Sequence, residues 1–578
     1  MPESSISLWL RFAQQQFAAE SYLHDININD PAAVAAALIR GNNRQSFPEG
    51  GLTRLVQIQA QQFVQRYQIV DHHANDATGF SATLMKDTAT NTYTLSFRSL
   101  EYQNQTQGGD WERDGMGGAA GEIAGAGFAL GQLVSMERYY QELKSAGKLP
   151  IGATLNVTGY SLGGHLATVF TQLHSNDINH TYIFNGAGIG QVGGVTSVLT
   201  EDVRIKQLID AMDAKFVEFD PTGNLTRSGS TANVQTLSWY QPAVIQVAGE
   251  FQTTGTASMP TGGLNGGVTR TDGAFTKITQ LFGSSVTGGD VQLVANSGMH
   301  GPVQSVLIEG QPLVEGLPNP FRDYGNAHSI TLLVDSLALQ SLFETIDSDL
   351  IQTDIENILK AASSARADVT AFAVDEHTAE GDTLEMALDA LRAIFVPNDS
   401  DNKTDFNDDT GGFGDIGTRT EFYAHLEQVR MAVSGQTFSI EPLVQRDTQG
   451  NVVPRLTAAE LVAEAQRNTD QGLAYRYALR TLNPFAVIGV DYSGLGHAAN
   501  GKLALYDPAT GFGEITEQYL TDRAAFLLAK LDLTLNNRTT PSDSLTLTHY
   551  GDAVSRFDVP AGVSLSVCLP DRPELAQC

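Results

Sequence analysis

The residues whose types and spacing promise chemistry are Gly159-Tyr160-Ser161-Leu162-Gly163, a G-x-S-x-G pattern. A serine placed this way sits on a strained strand-to-helix turn, with glycines where a Cβ would collide with neighbouring backbone. The turn presents Ser161 as a nucleophile for acyl transfer. It also puts the N–H of Leu162 at a helix start, where it can stabilise the oxyanion of a tetrahedral intermediate. In a chain with 56 glycines the pattern alone is weakly specific. Its context is more telling. The apolar β-type run Leu155-Asn156-Val157-Thr158 precedes it and the helical run from His165 to Phe170 follows it, so strand, turn and helix come in the required order.

A nucleophilic serine needs a base and an acid that orients the base. On this kind of turn the chain order is serine, acid, histidine. After Ser161 the early histidines are His165, His174, His180, His300 and His328. His165 lies one helical turn on and points along the helix, away from the nucleophile. His174 and His180 suit a solvated surface. Of the remaining two, His328 stands at a loop-to-helix junction, where its ring could reach over a sheet edge, and it is the expected base. The acid has two candidates. Asp290 follows an expected strand at 277–281 and a glycine-rich loop, and Asp220 follows Val217-Glu218-Phe219. Aspartate is also common in plain turns.

The elements that must position these groups are read from periodicity. Residues 6–22 and 52–66 have apolar residues at helical spacing. Residues 68–72, 80–85 and 93–97 alternate and favour strand formers. The small-residue tract 115–127 leads into a helix ending before Gly147 and Pro150. This tract reads either as close helix packing or as a hinged lid. A strand at 155–158, a helix at 166–173, a strand at 182–185 and a helix opened by His328 complete the first region. Strands alternating with helices argue for an α/β fold, a mostly parallel sheet covered on both faces. Residues 1–345 are expected to form this catalytic domain. A helical segment with an acidic linker spans 346–415. A C-terminal accessory region, α+β or mostly helical, spans 416–578. A helix is expected at 382–395 in the segment before the linker, and in the C-terminal region helices at 516–533 and behind a Thr457–Glu460 capping box, with strands at 503–506 and 563–568.

The chain has 578 residues, a net charge of −30 and a sequence pI near 4.6. That field disfavours nucleic acid as a partner. It leaves room for peripheral contact with a lipid surface through an apolar patch. Two cysteines, Cys568 and Cys578, exclude a disulfide framework. The opening residues lack the charged and apolar regions of a secretory signal peptide, so export without a cleaved N-terminal signal is expected, with cytoplasmic residence as the alternative. No Walker loop, HExxH or CxxC pair occurs, and no cofactor is required. The acidic stretch from Asn398 to Asp415 offers calcium ligands, but EF-hand spacing fails: the glycine position falls on Thr410 and the bidentate glutamate position on Ile416. A structural calcium site and a solvated linker both stand open, and no catalytic metal is expected.

Two segments carry a resemblance. Tyr93-Thr94-Leu95-Ser96-Phe97-Arg98-Ser99 and, some sixty residues later, Val157 through Ala167 resemble the class 3 lipases and bacterial lipase–phospholipase A1 proteins of the α/β-hydrolase superfamily. The resemblance covers roughly residues 65–340. It implies a triacylglycerol lipase or phospholipase A1 working through a Ser-His-Asp triad. It also implies a second oxyanion donor after the Phe-Arg pair, here the backbone N–H of Ser99 or Leu100. The sequence departs from the usual pattern, with Ser99 and Leu100 in place of glycine and a hydroxyl residue, and with Tyr160 in place of the elbow histidine. The segment from Val294 to Pro302 resembles the stretch after the family's acid, which favours Asp290 and makes His300 structural. Segments at 482–486 and 505–511 resemble those behind lipase domains in type I-secreted bacterial proteins. A short-chain esterase, or a secreted binding or toxin-like module on a hydrolase scaffold, are the alternative readings. Oligomeric state is not legible.

Overall fold

The computed structural model describes residues 3–42, 53–76, 78–100, 114, 119, 120, 123, 129–187, 191–192, 245–246, 277–285, 302–308, 328–362, 383–400, 404, 416–536, 543–549 and 553–559. Three helices come first: α1 (Ser5–Ala19), α2 (Pro31–Arg40) and α3 (Gln57–Arg66). Ser4 caps α1 by accepting from the N–H of Ser7, and Asp30 with Pro31 starts α2. The strands β1 (Tyr67–His73), β2 (Ala82–Asp87) and β3 (Thr92–Phe97) form an antiparallel meander.

From β3 the chain turns to parallel crossovers. Helix α4 (Leu130–Ser145) leads to β4 (Leu155–Tyr160), α5 (Leu162–Leu173) leads to β5 (Ile178–Phe184), and β8 (Ile278–Ser285) and β9 (Val303–Ile308) follow. Between them β6 (Gln191–Val192) and β7 (Ile245–Gln246) pair with each other outside the main sheet. The central sheet has seven strands in the order β1-β2-β3-β4-β5-β8-β9, parallel from β3 to β9. This is the α/β class expected from the alternation of strands and helices.

One apolar cluster on a face of the sheet joins Leu133, Tyr140, Leu166 and Phe170 of α4 and α5 to Leu84, Leu95 and Val157. On the opposite face lie α1 and α6 (Ile330–Ile346), whose core runs on into the C-terminal region. That region contains α7 (Gln352–Ala362), α8 (Thr383–Phe395), α9 (Ile416–Val433), the strands β10 (Ser439–Pro442), β11 (Val444–Arg446) and β12 (Val452–Pro454), α10 (Ala458–Ala465), α11 (Asp470–Thr481), β13 (Phe485–Ile488) and α12 (Glu517–Asn536). A hairpin, β14 (Asp543–His549) with β15 (Ala553–Val559), follows. The boundary near residue 345 coincides with the end of α6, yet one hydrophobic cluster crosses it, from Ile6 through Leu337 to Leu527.

Local expectations and structure differ in places. The Thr457–Glu460 box caps α10 in both directions. The expected strand at 503–506 is instead a turn-rich segment held by an isolated Leu505–Ile515 bridge, because Gly511 and Gly513 adopt positive φ and fold the chain back. Asp382 at the start of the expected helix 382–395, the strand expected at 563–568, both cysteines and most of the acidic stretch lie outside the described residues. No described helix is long and apolar enough to cross a membrane.

Candidate active site

The turn after β4 is built as its glycines demand. Ser161 has φ 52° and ψ −118°, a conformation costly for a residue with a side chain. The surroundings hold it there: its N–H donates to Phe184 O at 3.2 Å, and its carbonyl accepts from Gly164 at 2.9 Å and Ala187 at 2.8 Å. A Cβ on Gly159 would stand 2.1 Å from Gly163 O, and one on Gly163 would stand 2.2 Å from Phe97 O and 2.9 Å from Arg98 O. So the first turn of α5 presses directly on the backbone leaving β3. Leu162 is the first residue of α5, where amide N–H groups have no partner within the helix.

Ser161 Oγ lies 3.0 Å from His328 Nε2. This is hydrogen-bonding distance, with serine the donor when Nε2 is unprotonated. The two residues are 167 apart in the chain and belong to different elements. His328 is buried and stands just before Ser329, which caps α6 by accepting from the N–H of Leu332 at 3.2 Å. Its ring lies against that of Tyr160 with centroids 5.2 Å apart. Asp290, Asp220 and His300 lie outside the described residues. In sequence, Asp290 follows Ser285, the last residue of β8, by five positions.

The two residues expected to supply the second oxyanion donor follow β3. Ser99 is engaged by Glu20, a buried carboxylate at the end of α1. Its N–H donates to both oxygens at 3.2 Å and its hydroxyl to Oε2 at 2.5 Å. Gln16 Nε2 donates to the same carboxylate at 2.7 Å and to Phe97 O at 2.8 Å, while Gln16 Oε1 accepts from Thr158. Both donors of Ser99 are thereby directed at Glu20, which corrects the expectation that its backbone N–H could face an oxyanion. Leu100 remains as the candidate. Glu20 and Gln16 carry no signal in the sequence, because an amphipathic helix gives no local sign that its polar residues are buried.

The other histidines are held elsewhere. His165 Nε2 accepts from the N–H of Ala129 at 3.1 Å, facing α4 rather than Ser161. His174 and His180 are not simply solvated: His174 Nε2 is 2.6 Å from Glu137 Oε1, and His180 Nε2 is 2.8 Å from Thr279 Oγ1. Burial and the nearby Lys277 push the His180 imidazole down to about 4. Among the described residues, no three His, Cys, Asp or Glu side chains gather as metal ligands.

Fold and geometry together define an α/β protein with a serine and a histidine in contact at a strained turn above a parallel sheet. No family model matches the chain, and no curated protein matches it. Among solved structures it is similar to the Lip2 lipase from Yarrowia lipolytica, at 12% identity and a TM-score of 0.24, over 55% of this chain and 82% of that one. At that level the likeness adds nothing to the geometry.

Proposed function

We propose that the protein is a serine carboxylic ester hydrolase acting on lipid esters, triacylglycerol or the acyl ester of a phospholipid. The observation that carries this reading is the 3.0 Å approach of His328 Nε2 to Ser161 Oγ on a turn whose backbone is strained at the serine itself. In the proposed reaction Ser161 Oγ attacks the acyl carbon while its proton passes to His328 Nε2. The tetrahedral oxyanion is held by the N–H of Leu162 and a second amide after β3, assigned to Leu100. Collapse breaks the C–O bond, His328 returns the proton to the leaving alcohol, and an acyl-enzyme remains. Water, deprotonated by His328, then releases the acid. Asp290 is proposed as the acid that orients the imidazole. Its position in the sequence, five residues after the end of β8, supports it over Asp220, which follows no described strand of the central sheet so closely.

The test is a chain-length series of p-nitrophenyl esters with fluorophosphonate labelling mapped by mass spectrometry. Wild type labels at Ser161. Ser161→Ala and His328→Ala each lose turnover by about 10³-fold or more. Asp290→Asn loses about 10²- to 10⁴-fold, whereas Asp220→Asn stays near wild type. A rate that rises abruptly above the substrate's solubility limit marks a lipase, and saturation below it marks a short-chain esterase. A wild type that neither labels nor turns over any ester, emulsions included, overturns the reading.

A further inference from the structure

His328 stands outside the helix it introduces. Ser329 is the cap of α6, and the first backbone acceptor of its ladder is Ser329 O, which receives Leu333 N–H at 3.2 Å. The carbonyl of His328 is one residue too early to join that ladder, yet the residue is buried. A buried carbonyl needs donors from elsewhere. Two side chains supply them: Tyr160 Oη at 2.7 Å and Asn185 Nδ2 at 3.1 Å.

Neither donor is casual. Tyr160 is the last residue of β4 and the covalent neighbour of Ser161. Asn185 is fully buried just after β5, with φ 46°, in the left-handed region that asparagine tolerates better than most side chains. Its amide is committed at both ends, since Oδ1 accepts from Gly283 N–H at 2.9 Å while Nδ2 donates to His328. Its own N–H donates to Leu281 O at 2.8 Å. One asparagine therefore ties the exits of β5 and β8 to the backbone of the histidine.

We infer that Tyr160 and Asn185 are positioning residues that clamp the main-chain carbonyl of His328 and so fix its imidazole over Ser161. The inference rests on the serine-hydrolase reading above. The arrangement makes the nucleophile's own neighbour hold the base. The path from Ser161 to His328 then runs through one peptide bond, one tyrosine side chain and one hydrogen bond, rather than along a sequence separation of 167 residues. Ring contact between Tyr160 and His328 adds a second restraint on the imidazole plane. The base must serve both acylation and deacylation, so a slack backbone would slow both, and misplacements of about 1 Å cost on the order of 10²-fold.

Tyr160→Phe tests this by removing one hydroxyl and leaving the ring. The expected result is a fall in kcat of about ten- to a hundredfold with KM unchanged, and a matching fall in the rate of Ser161 labelling by a fluorophosphonate. The decisive readout is a double-mutant cycle. In a His328→Ala background Tyr160→Phe should leave the residual labelling rate unchanged, because its effect passes through the histidine. Asn185→Asp, which keeps the Oδ1 acceptor and the backbone preference but removes the donor, should behave in the same way. An active wild type whose Tyr160→Phe variant keeps its kcat, or loses the same factor with and without His328, overturns the clamp while leaving the hydrolase reading intact. A wild type inert towards esters and label fails at the earlier step.

Discussion

Replacing Glu20 by glutamine perturbs the site from the far side of the sheet. Among the described residues, three donor groups converge on the two oxygens of this buried carboxylate: Gln16 Nε2, the N–H of Ser99 and the hydroxyl of Ser99. An acceptor-only group suits them, whereas an amide turns one oxygen into a donor that faces donors. Hydrogen bonds to a charged group are worth about 1.5–3 kcal/mol and neutral ones about 1 kcal/mol. Weakening two and breaking one, offset by the easier burial of a neutral side chain, gives a net loss of about 1–3 kcal/mol. The consequence for activity follows from where Ser99 stands. It leaves β3 beside the elbow, next to Leu100, and a slackened Ser99 moves the proposed Leu100 donor. Complete loss of one oxyanion donor costs about 10²–10³ in kcat, so a displaced one should cost about tenfold. Urea unfolding read by tryptophan fluorescence gives the stability term, and kcat on a soluble p-nitrophenyl ester gives the other. Ser99→Ala should cost less than Glu20→Gln in kcat, because the N–H of residue 99 stays on Glu20. A Glu20→Gln protein that is destabilised but turns over within twofold of wild type would refute the link between this carboxylate and the oxyanion site.

Two further outcomes follow from buried charge. Arg419 on α9 donates to Asp335 on α6 at 2.8 and 3.0 Å, with Tyr423 Oη on the same carboxylate at 2.7 Å and both ion-pair partners buried. Asp335→Asn or Arg419→Leu should each cost about 3–5 kcal/mol in urea unfolding, and the double variant Asp335→Leu/Arg419→Met should recover part of that loss, because no uncompensated charge remains. Acid should destabilise the fold well above the range where carboxylates titrate. Burial, with Arg98, His24 and His73 nearby, pushes His72 from 6.5 down to about 3, and His180 is pushed to about 4. These rings stay neutral in the folded state while the unfolded chain takes up protons below about 6.5, so stability falls as pH drops from there towards 4. With the partial exposure of both rings discounted, the loss by pH 5 is about 2 kcal/mol, and a His72→Gln/His180→Gln variant should show a flatter dependence of its urea midpoint on pH. An unchanged slope would contradict the assignment.

What was legible in the sequence was local. The elbow could be read because its strand, turn and helix are contiguous and its backbone geometry is forced by Gly159 and Gly163. His328 could be read because Ser329 starts a strongly apolar helical run. Signals for α2 are equally local, with Asp30 as cap, Pro31 in the first turn and Gly41 at the end, although its run of alanines shows little periodicity. The rest depends on partners far away in the chain. Glu20 meets Ser99 across 79 residues, and His180 meets Thr279 across 99. Helical or strand periodicity tells which face a side chain takes, but not which distant polar group will be waiting there. Tyr160 was visible only as a departure from a family pattern, and its hydroxyl acquires a role only when α6 is brought beside β4.

The C-terminal region also touches the proposed chemistry more closely than a separate accessory domain would. His328 stands two residues before α6, and Asp335 lies seven residues further on, inside that helix. The face of α6 away from the sheet is covered by elements after residue 346: Phe343 meets Phe485 edge-on at 5.7 Å, and Asp335 is locked by Arg419 and Tyr423. A helix buried on all sides has little freedom to shift. The proposed base is therefore held at both ends, by the Tyr160–Asn185 contacts on its carbonyl and by a helix that the C-terminal half keeps in register. A fragment ending at residue 345 would expose the apolar side of α6 and release Asp335 from its only arginine partner among the described residues. Loss of activity in such a fragment would then trace to the seating of His328 as much as to any contact the C-terminal half makes with substrate.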